Sequence, residues 1–301
     1  MEKIDRLGWA AGMCFDAYGR RIGIRVNNPE VLAQLPDCLP PGWKRVGSPI
    51  VEHLYSLLVG GNGGRANVRR FNLLYAGSGR LARTMDIEEV FESLESHLHL
   101  TVAEAARDRL FVHAGVVGWR GKAIVLPGRT LSGKTTLVAA LVRAGAAYYS
   151  DEYAVFDAGG RVHPYPKALS IRDGNAARPR RAPAAALGGL PGVKPLPVGL
   201  VAVTGYRPGA RWRPRRLPPG QAILALLANT VPARRRPKVA LATLLRVVSR
   251  APVLKGVRGE AEEVLAAMLE QIPGGEAPPR DGGRLLLGGT MAHTRDGRRA
   301  R

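Results

Sequence analysis

The sequence predicts an α/β fold that follows a smaller α+β region at the N-terminal end. Three patterns within the 301 residues indicate this fold. Residues 111–117 and 122–126 are apolar runs rich in Val and Ile, as buried strands are. A glycine-rich segment at 128–135 comes directly after them, and good helix formers fill 136–144. Between residues 86 and 109, apolar side chains recur at three- and four-residue steps, which is typical of a core-facing helix.

The N-terminal elements follow from shorter patterns. Residues 14–26 hold two apolar segments on either side of a turn at 18–21, an arrangement that predicts a β-hairpin. A brief helix is predicted at 28–35, and the Pro- and Gly-containing stretch 39–42 ends it because these residues cannot continue a helix. Residues 69–75 predict a further strand.

Strands and helices alternate after the glycine-rich segment. A strand at 147–156 is interrupted by Ser150, Asp151 and Glu152. Residues 174–197 are dense in Pro, Gly, Ala and Arg, and they predict a long basic loop. Further strands are predicted at 161–163, 167–171 and 200–206, and helices at 220–229, 238–248 and 260–271.

These patterns divide the chain into three parts. Residues 1–109 form the α+β region, to which no role is assigned, and residues 110–272 form the α/β domain. Residues 273–301 are rich in Gly, Pro and Arg and predict a disordered basic tail.

The composition excludes several classes of protein. With 46% hydrophobic and 23% charged residues, the chain lies in the range of globular proteins and outside that of wholly disordered ones. No apolar stretch reaches the ~18 residues that a membrane-spanning helix needs. The first residues carry acids and lack the apolar run of a signal peptide. We therefore expect a cytoplasmic protein without a membrane span.

The charge is strongly positive, with a formal net value of +21. Of the 45 basic residues, 37 are Arg, a bias that a high-GC coding sequence also produces. Arginines cluster at 178–181, 207–216 and 234–236, where they could meet phosphates, acidic protein surfaces or anionic membranes. Because no base-reading motif accompanies the charge, nucleic acid is a less favoured partner.

A phosphate-binding loop is the most specific motif. It consists of Gly128, Arg129, Thr130, Leu131, Ser132, Gly133, Lys134 and Thr135, which match G-x-x-x-x-G-K-[ST] in full. Glycines let backbone N–H groups turn toward phosphate oxygens, and the helix that continues with Thr136 adds a favourable dipole. Lys134 then reaches the β- and γ-phosphates of a nucleotide, and the Thr135 hydroxyl binds Mg²⁺. An ordinary strand-to-helix turn needs neither of these two side chains.

Two acids follow this loop at short range. Asp151 and Glu152 come sixteen and seventeen residues after Thr135. Adjacent acids near a nucleotide phosphate can divide two tasks, since one can hold the metal while the other orients or deprotonates an incoming hydroxyl. The alternative is a solvated acidic turn. His113 lies fifteen residues before Gly128. The composition of the sequence around it, taken alone, favours a buried, hydrogen-bonded histidine over a catalytic one.

Three blocks together resemble the catalytic core of the HPr kinase/phosphorylase family. They are His113-Ala114-Gly115-Val116, the loop at 128–135 and Ser150-Asp151-Glu152, and the resemblance covers residues 110–270 approximately. It implies a P-loop kinase core similar to that of phosphoenolpyruvate carboxykinase, which uses ATP and Mg²⁺ and phosphorylates a serine of a protein or peptide. Family members assemble as oligomers, so the resemblance also implies a homo-oligomer.

The same resemblance implies roles for individual residues. Thr135 and Asp151 become metal ligands, Glu152 the proton acceptor, and His113, Lys134 and Arg172 further active-site residues. The chain departs from the family at Ser170, where the family has a metal-binding Glu, and Asp173 could compensate. The family segment tied to dephosphorylation has no clean equivalent, although 232–237 occupies a comparable place, so phosphorylase activity is not expected. The chain looks like a diverged, stand-alone member.

Two other functions stay open. The replacement at Ser170 favours a nucleotide-binding switch or scaffold with little catalysis. The arginine clusters favour a kinase that acts on a small molecule or on a nucleic-acid end.

Overall fold

The computed structural model describes residues 3–60, 70–128, 132–171 and 180–272. Within these residues the chain has a mixed α/β fold with two large mixed sheets and five α-helices. None of the helices in this part of the chain is both long and apolar enough to cross a bilayer. The tail predicted at 273–301 lies outside the described residues.

The first sheet is built from the N-terminal residues. Its strands are β1 (Ala11–Ala17), β2 (Arg20–Val26), β3 (Lys44–Val46), β4 (His53–Leu58), β5 (Asn72–Ala76) and β6 (Gly79–Thr84). They lie in the order β3-β1-β2-β4-β5-β6, and β2 pairs in parallel with β4. Helix α1 (Ile87–Ala105) follows, and the Asp86 carboxylate caps it by accepting a hydrogen bond from the Glu88 N–H.

The second sheet carries the glycine-rich segment. In chain order, its elements and those around it are β7 (Leu110–Trp119), β8 (Lys122–Pro127), α2 (Lys134–Arg143), β9 (Ala147–Ser150), β10 (Tyr153–Phe156), β11 (Arg161–His163), β12 (Leu169–Ile171), β13 (Arg180–Ala182), β14 (Leu196–Tyr206), β15 (Arg215–Arg216), α3 (Pro219–Leu227), α4 (Pro237–Arg250), β16 (Val253–Arg258) and α5 (Ala261–Leu269). The strand order is β11-β10-β7-β8-β14-β16-β15, β9 also pairs with β7, and β12 and β13 form a small separate sheet.

Three neighbouring strands of the second sheet are parallel. Strand β14 pairs in parallel with both β8 and β16, so the carboxyl ends of the three strands lie at one edge of the sheet. In α/β sheets, ligands bind at this edge. The segment after β8 and the last residues of β14 and β16 therefore meet where a ligand is expected.

One group of buried side chains joins the N-terminal elements to the second sheet. Leu94 and Leu98 of α1 belong to the same apolar cluster as Phe111 of β7, Tyr153 of β10 and the fully buried Tyr165. The division at residue 109 stays a prediction, but α1 packs against β7 and shares its apolar cluster with Tyr153 of β10.

Most predicted elements are present with shifted ends, and two predictions are wrong. The helix predicted at 28–35 is a pair of 3-10 helices, Pro29–Ala33 and Leu35–Cys38, because Pro36 cannot continue the first one. The loop predicted at 174–197 contains, in its described part, β13, the 3-10 helix Ala184–Leu187 and the start of β14. Gly189 and Gly192 serve close packing, since a Cβ atom at Gly189 would lie 2.1 Å from Val142 Cγ1 of α2 and one at Gly192 would lie 2.1 Å from Tyr149 Cε2.

Candidate functional site

The glycine-rich segment joins β8 to α2 at the carboxyl edge of the second sheet. Gly133 is the N-cap of α2 with a φ of 77°, a left-handed conformation that glycine adopts without strain. Lys134 begins the helix, and its Nζ donates a hydrogen bond to the Gly128 carbonyl at 2.5 Å. Burial lowers the pKa of Lys134, while the carboxylates of Asp151 and Glu152 oppose that shift. The ammonium group therefore lies at the loop, within the field of both acids.

Two features suit the loop to phosphate oxygens. A Cβ atom at Gly128 would lie 2.7 Å from Ser132 Oγ, so glycine leaves room for that hydroxyl. Ser132 Oγ is buried and has no hydrogen-bond partner among the described residues, so its hydroxyl can donate to a bound anion. The first N–H groups of any α-helix also lack acceptors within the helix. An anion at this helix N-terminus would use all of these donors.

Some predicted site residues lie outside the described part of the chain. They are Arg129, Thr130 and Leu131 in the loop, and Arg172 and Asp173 after β12. The backbone of Ser170 lies in β12. Thr136 is exposed on the first turn of α2.

The two acids form a tight break between β9 and β10, as the sequence predicts. Ser150 is fully buried, and its hydroxyl oxygen accepts hydrogen bonds from the N–H groups of Glu152 at 3.1 Å and Tyr153 at 3.0 Å. These bonds fix the turn that exposes the acids to the loop. On the loop side, the Thr135 hydroxyl donates to Asp151 Oδ2 at 3.4 Å.

Thr135 and Asp151 fit a magnesium ion by their chemistry. Mg²⁺ binds through one or two carboxylates and takes most other ligands from phosphates and water. Over the four described ranges, no three His, Cys, Asp or Glu side chains gather to hold a metal. The Tyr148 hydroxyl lies 3.3 Å from Asp151 Oδ1, but the acceptor nearest to it is the Lys167 carbonyl at 2.5 Å. A Mg²⁺ ion held here would therefore depend on a bound nucleotide for several of its ligands.

Lys167 is a site residue that the sequence interpretation missed. Its Nζ lies 2.7 Å from Glu152 Oε2 and 3.1 Å from Oε1 of Glu95, a residue of α1 that is only 3% exposed. Burial lowers the pKa of Lys167, but the two carboxylates outweigh it and raise that pKa overall. The sequence held one signal, because Glu95 follows Leu94 on the core-facing side of a predicted helix, where a charge needs a partner.

His113 lies on β7 beside the start of the loop. Its carbonyl accepts a hydrogen bond from the Gly128 N–H at 3.2 Å, and its ring lies 4.8 Å from the Tyr153 ring. Burial lowers the pKa of His113. The Glu152 carboxylate opposes this shift, and the Lys134 ammonium group adds to it. The imidazole is therefore neutral near neutral pH.

Arg258 is a second residue that the sequence interpretation missed. It ends β16, is 1% exposed, and donates from Nη2 to the Gly133 carbonyl and from Nη1 to the Gly259 carbonyl, both at 2.8 Å. The ring of Tyr206, at the end of β14, lies 5.5 Å from the guanidinium carbon. Since the sequence predicted no strand at 253–258, nothing in it placed Arg258 beside the loop.

Two of the clustered arginines have structural contacts with α1. Arg236 donates hydrogen bonds to the carbonyls of Ala106 and Arg107, just beyond the last turn of α1. Arg235 Nη1 lies 3.2 Å from Oε2 of Glu104 in that helix. These two residues therefore stabilise α1. The arginines of the 207–216 cluster are exposed.

The structure thus brings His113, Lys134, Thr135, Asp151 and Glu152 to one edge of the second sheet. Lys167, Glu95 and Arg258 surround them.

A comparison with protein-family models gives no match, and a comparison with curated proteins gives none either.

Proposed function

We propose that this protein is a kinase that uses ATP and Mg²⁺ to phosphorylate a hydroxyl group, and that the acceptor is a serine of a protein or peptide. The phosphate loop after β8, with the carboxyl ends of the parallel strands β14 and β16 beside it, supports a P-loop core of the HPr kinase type. The charge of +21 and the exposed arginines at 207–216 favour an acidic acceptor.

One observation carries the proposal: the acid pair lies against the residue that follows the loop lysine. Asp151 Oδ2 is 3.4 Å from Thr135 Oγ1, and Glu152 comes next on the same fixed turn. A phosphate held by the loop amides and Lys134 would then have a carboxylate and a hydroxyl beside it for Mg²⁺. It would also have a second carboxylate within reach of an incoming hydroxyl.

Each residue has a separate task under this proposal. Lys134 and the loop amides hold the phosphates, and Thr135 and Asp151 hold Mg²⁺, which neutralises charge on the transferred phosphoryl group when bound. Glu152 orients the acceptor hydroxyl and accepts its proton. His113 is neutral and lines the strand beside the loop, where it can hydrogen-bond the acceptor or a phosphate oxygen.

A labelling experiment tests this function. The purified protein is incubated with γ-labelled ATP, Mg²⁺ and a lysate of its source, and the products are analysed for phosphoserine. We expect labelled protein that contains phosphoserine and that disappears when Asp151→Asn replaces the wild type. A labelled small molecule or nucleic acid in place of labelled protein would contradict the assignment of the acceptor.

The ion pair of Glu152 with Lys167 favours a second candidate, a nucleotide-binding switch. An ammonium group 2.7 Å from the carboxylate competes with an acceptor hydroxyl for that oxygen. A switch would bind ATP and release no labelled product beyond slow hydrolysis. Tight ATP binding without any labelled acceptor would therefore favour the switch over the kinase.

A further inference from the structure

Arg258 is the largest side chain in the described residues that is less than 2% exposed, and it is charged. Burying a guanidinium costs free energy unless an anion balances it. The other deeply buried charge near the site, Glu95, has such a partner in Lys167. Arg258 forms no ion pair with any carboxylate of the described residues, and its Nε is buried without a hydrogen-bond partner among them. Its two bonded nitrogens reach only backbone carbonyls.

Gly133 makes room for this guanidinium at the start of α2. A Cβ atom on Gly133 would lie 2.7 Å from Nη2 of Arg258 and 3.8 Å from Cβ of Tyr206. The second glycine of the motif therefore serves the left-handed turn and also admits a buried cation to the loop. Together, the helix N-terminus and the incompletely paired guanidinium offer hydrogen-bond donors and positive charge to a bound anion.

The sheet order fixes the side of the loop on which Arg258 lies. Strand β8 stands between β7 and β14. The acid pair lies between β9 and β10, which both pair with β7, whereas Tyr206 and Arg258 end β14 and β16 on the other side. If the terminal phosphate of a nucleotide faces the acids, the phosphates nearer the nucleoside lie toward β14 and β16.

We propose that Arg258 is a phosphate-binding residue whose charge is balanced by the α- or β-phosphate of a nucleoside di- or triphosphate. This inference rests on the proposed function for the direction in which the nucleotide lies. Tyr206 borders the same place, and its hydroxyl donates to Oε1 of Glu260 at 2.8 Å, which holds the ring beside the guanidinium. Burial lowers the pKa of Arg258, and the carboxylates of Glu260 and Glu262 oppose that shift without forming an ion pair with the guanidinium.

The test compares the affinity for ADP and for ATP in wild type, Arg258→Met and the control Arg250→Met. Arg250 is an exposed arginine of α4 that donates to a backbone carbonyl, so its replacement matches the chemistry without reaching the loop. Isothermal titration calorimetry gives the two dissociation constants, and thermal unfolding without nucleotide reports the fold.

We expect Arg258→Met to raise the dissociation constants of ADP and ATP by roughly 10- to 100-fold, because a hydrogen bond to a charged group is lost. The control should bind both like wild type. Unchanged ADP affinity in Arg258→Met would overturn the proposal, and so would a loss confined to ATP, because it would place Arg258 at the terminal phosphate. If Arg258→Met does not fold, Arg258→Gln retains a hydrogen-bond donor for the Gly133 carbonyl without the charge. Unchanged ADP affinity in Arg258→Gln, or a loss of affinity confined to ATP, would then overturn the proposal. A wild type that binds neither nucleotide would instead refute the proposed function.

Discussion

Glu152 is the residue whose role depends most on its immediate neighbours. Its N–H is fixed by the buried Ser150 hydroxyl, and its carboxylate oxygen lies 2.7 Å from Lys167 Nζ. The hydrogen bond to the main chain therefore fixes the position of the Glu152 backbone, and the ion pair with Lys167 fixes the position of its carboxylate. An acid held at both ends keeps one orientation, and an incoming hydroxyl has to compete with the Lys167 ammonium for the carboxylate that accepts its proton.

Glu152→Gln should lower turnover far more than nucleotide affinity. A general base acts on the attacking hydroxyl in the transition state and contributes about 10²- to 10⁴-fold to rate. We expect a loss of kcat in that range and an ATP dissociation constant within about threefold of wild type. Steady-state kinetics measures kcat, and calorimetry measures the ATP dissociation constant, for wild type and for Glu152→Gln. A variant that lost affinity and kept its kcat would make Glu152 a binding group and Asp151 the candidate base.

His113 should make the fold sensitive to acid. Its folded-state pKa is lowered, chiefly by burial, so the folded chain holds it neutral. The stability that follows is complete above the unfolded value of about 6.5 and is lost as the pH falls below it, because only the unfolded chain then binds the proton readily. We expect urea unfolding of wild type to show a larger drop in the free energy of unfolding from pH 7.5 to 5.5 than His113→Gln shows. His97, whose pKa burial also lowers, contributes equally to both chains. Identical pH dependence would exclude a buried neutral His113.

The predicted part of the site is the part that is local in the sequence. Lys134 and Thr135 follow from one motif, and Asp151 from a spacing of sixteen residues, because a single strand-loop-helix-strand unit brings them together. Lys167 and Arg258 come from segments whose position depends on the whole sheet order. No short-range pattern encodes that order, so these residues become visible only in the folded chain.

At the scale of elements, the C-terminal end of α1 is held by residues that lie 130 positions later in the chain. Arg236 bonds to the carbonyls of Ala106 and Arg107, which have no acceptor role inside the helix. A cation at a helix C-terminus also interacts favourably with the helix dipole. The segment before α4 therefore fixes the helix that carries Glu95.

Arg236→Ala should destabilise the protein, whereas Arg234→Ala should not. Loss of the hydrogen bonds to two carbonyls is expected to cost about 1–3 kcal/mol of the free energy of unfolding. Arg234 is an exposed neighbour in the same basic run, so its replacement controls for the loss of charge. Chemical unfolding at neutral pH measures both variants. Equal stability of the two variants would contradict the capping role.

Element prediction succeeded where hydrophobic periodicity and turn residues coincide. The β1-β2 hairpin, α1 and the break at Ser150 appear close to their predicted places. Strands β4, β6 and β16 were missed. The short sequences of β6 and β16 mix charged and apolar residues without a clear alternation. Pairing with neighbouring strands makes them strands, and pairing is a property of the fold.

At the scale of the whole molecule, the N-terminal elements and the candidate site are physically continuous. Helix α1 shares its core with Phe111 and Tyr153, and its Glu95 reaches Lys167 beside the acid pair. The N-terminal sheet is therefore connected to Glu152 by contacts through one helix and one lysine. The ion pair with Lys167 explains why Glu95 is charged and buried in a helix whose other buried residues, apart from His99, are apolar.

The central claim is that the loop and the acid pair transfer phosphate, and Lys134→Ala tests it most directly. Transfer of label from γ-labelled ATP to lysate protein is measured for wild type and variant, with circular dichroism and thermal unfolding as the check of the fold. Because Lys134 lies at the loop and not in the apolar core, the variant should fold like wild type and lose transfer by about 10²-fold or more. A folded Lys134→Ala protein that transfers label at the wild-type rate would contradict the account.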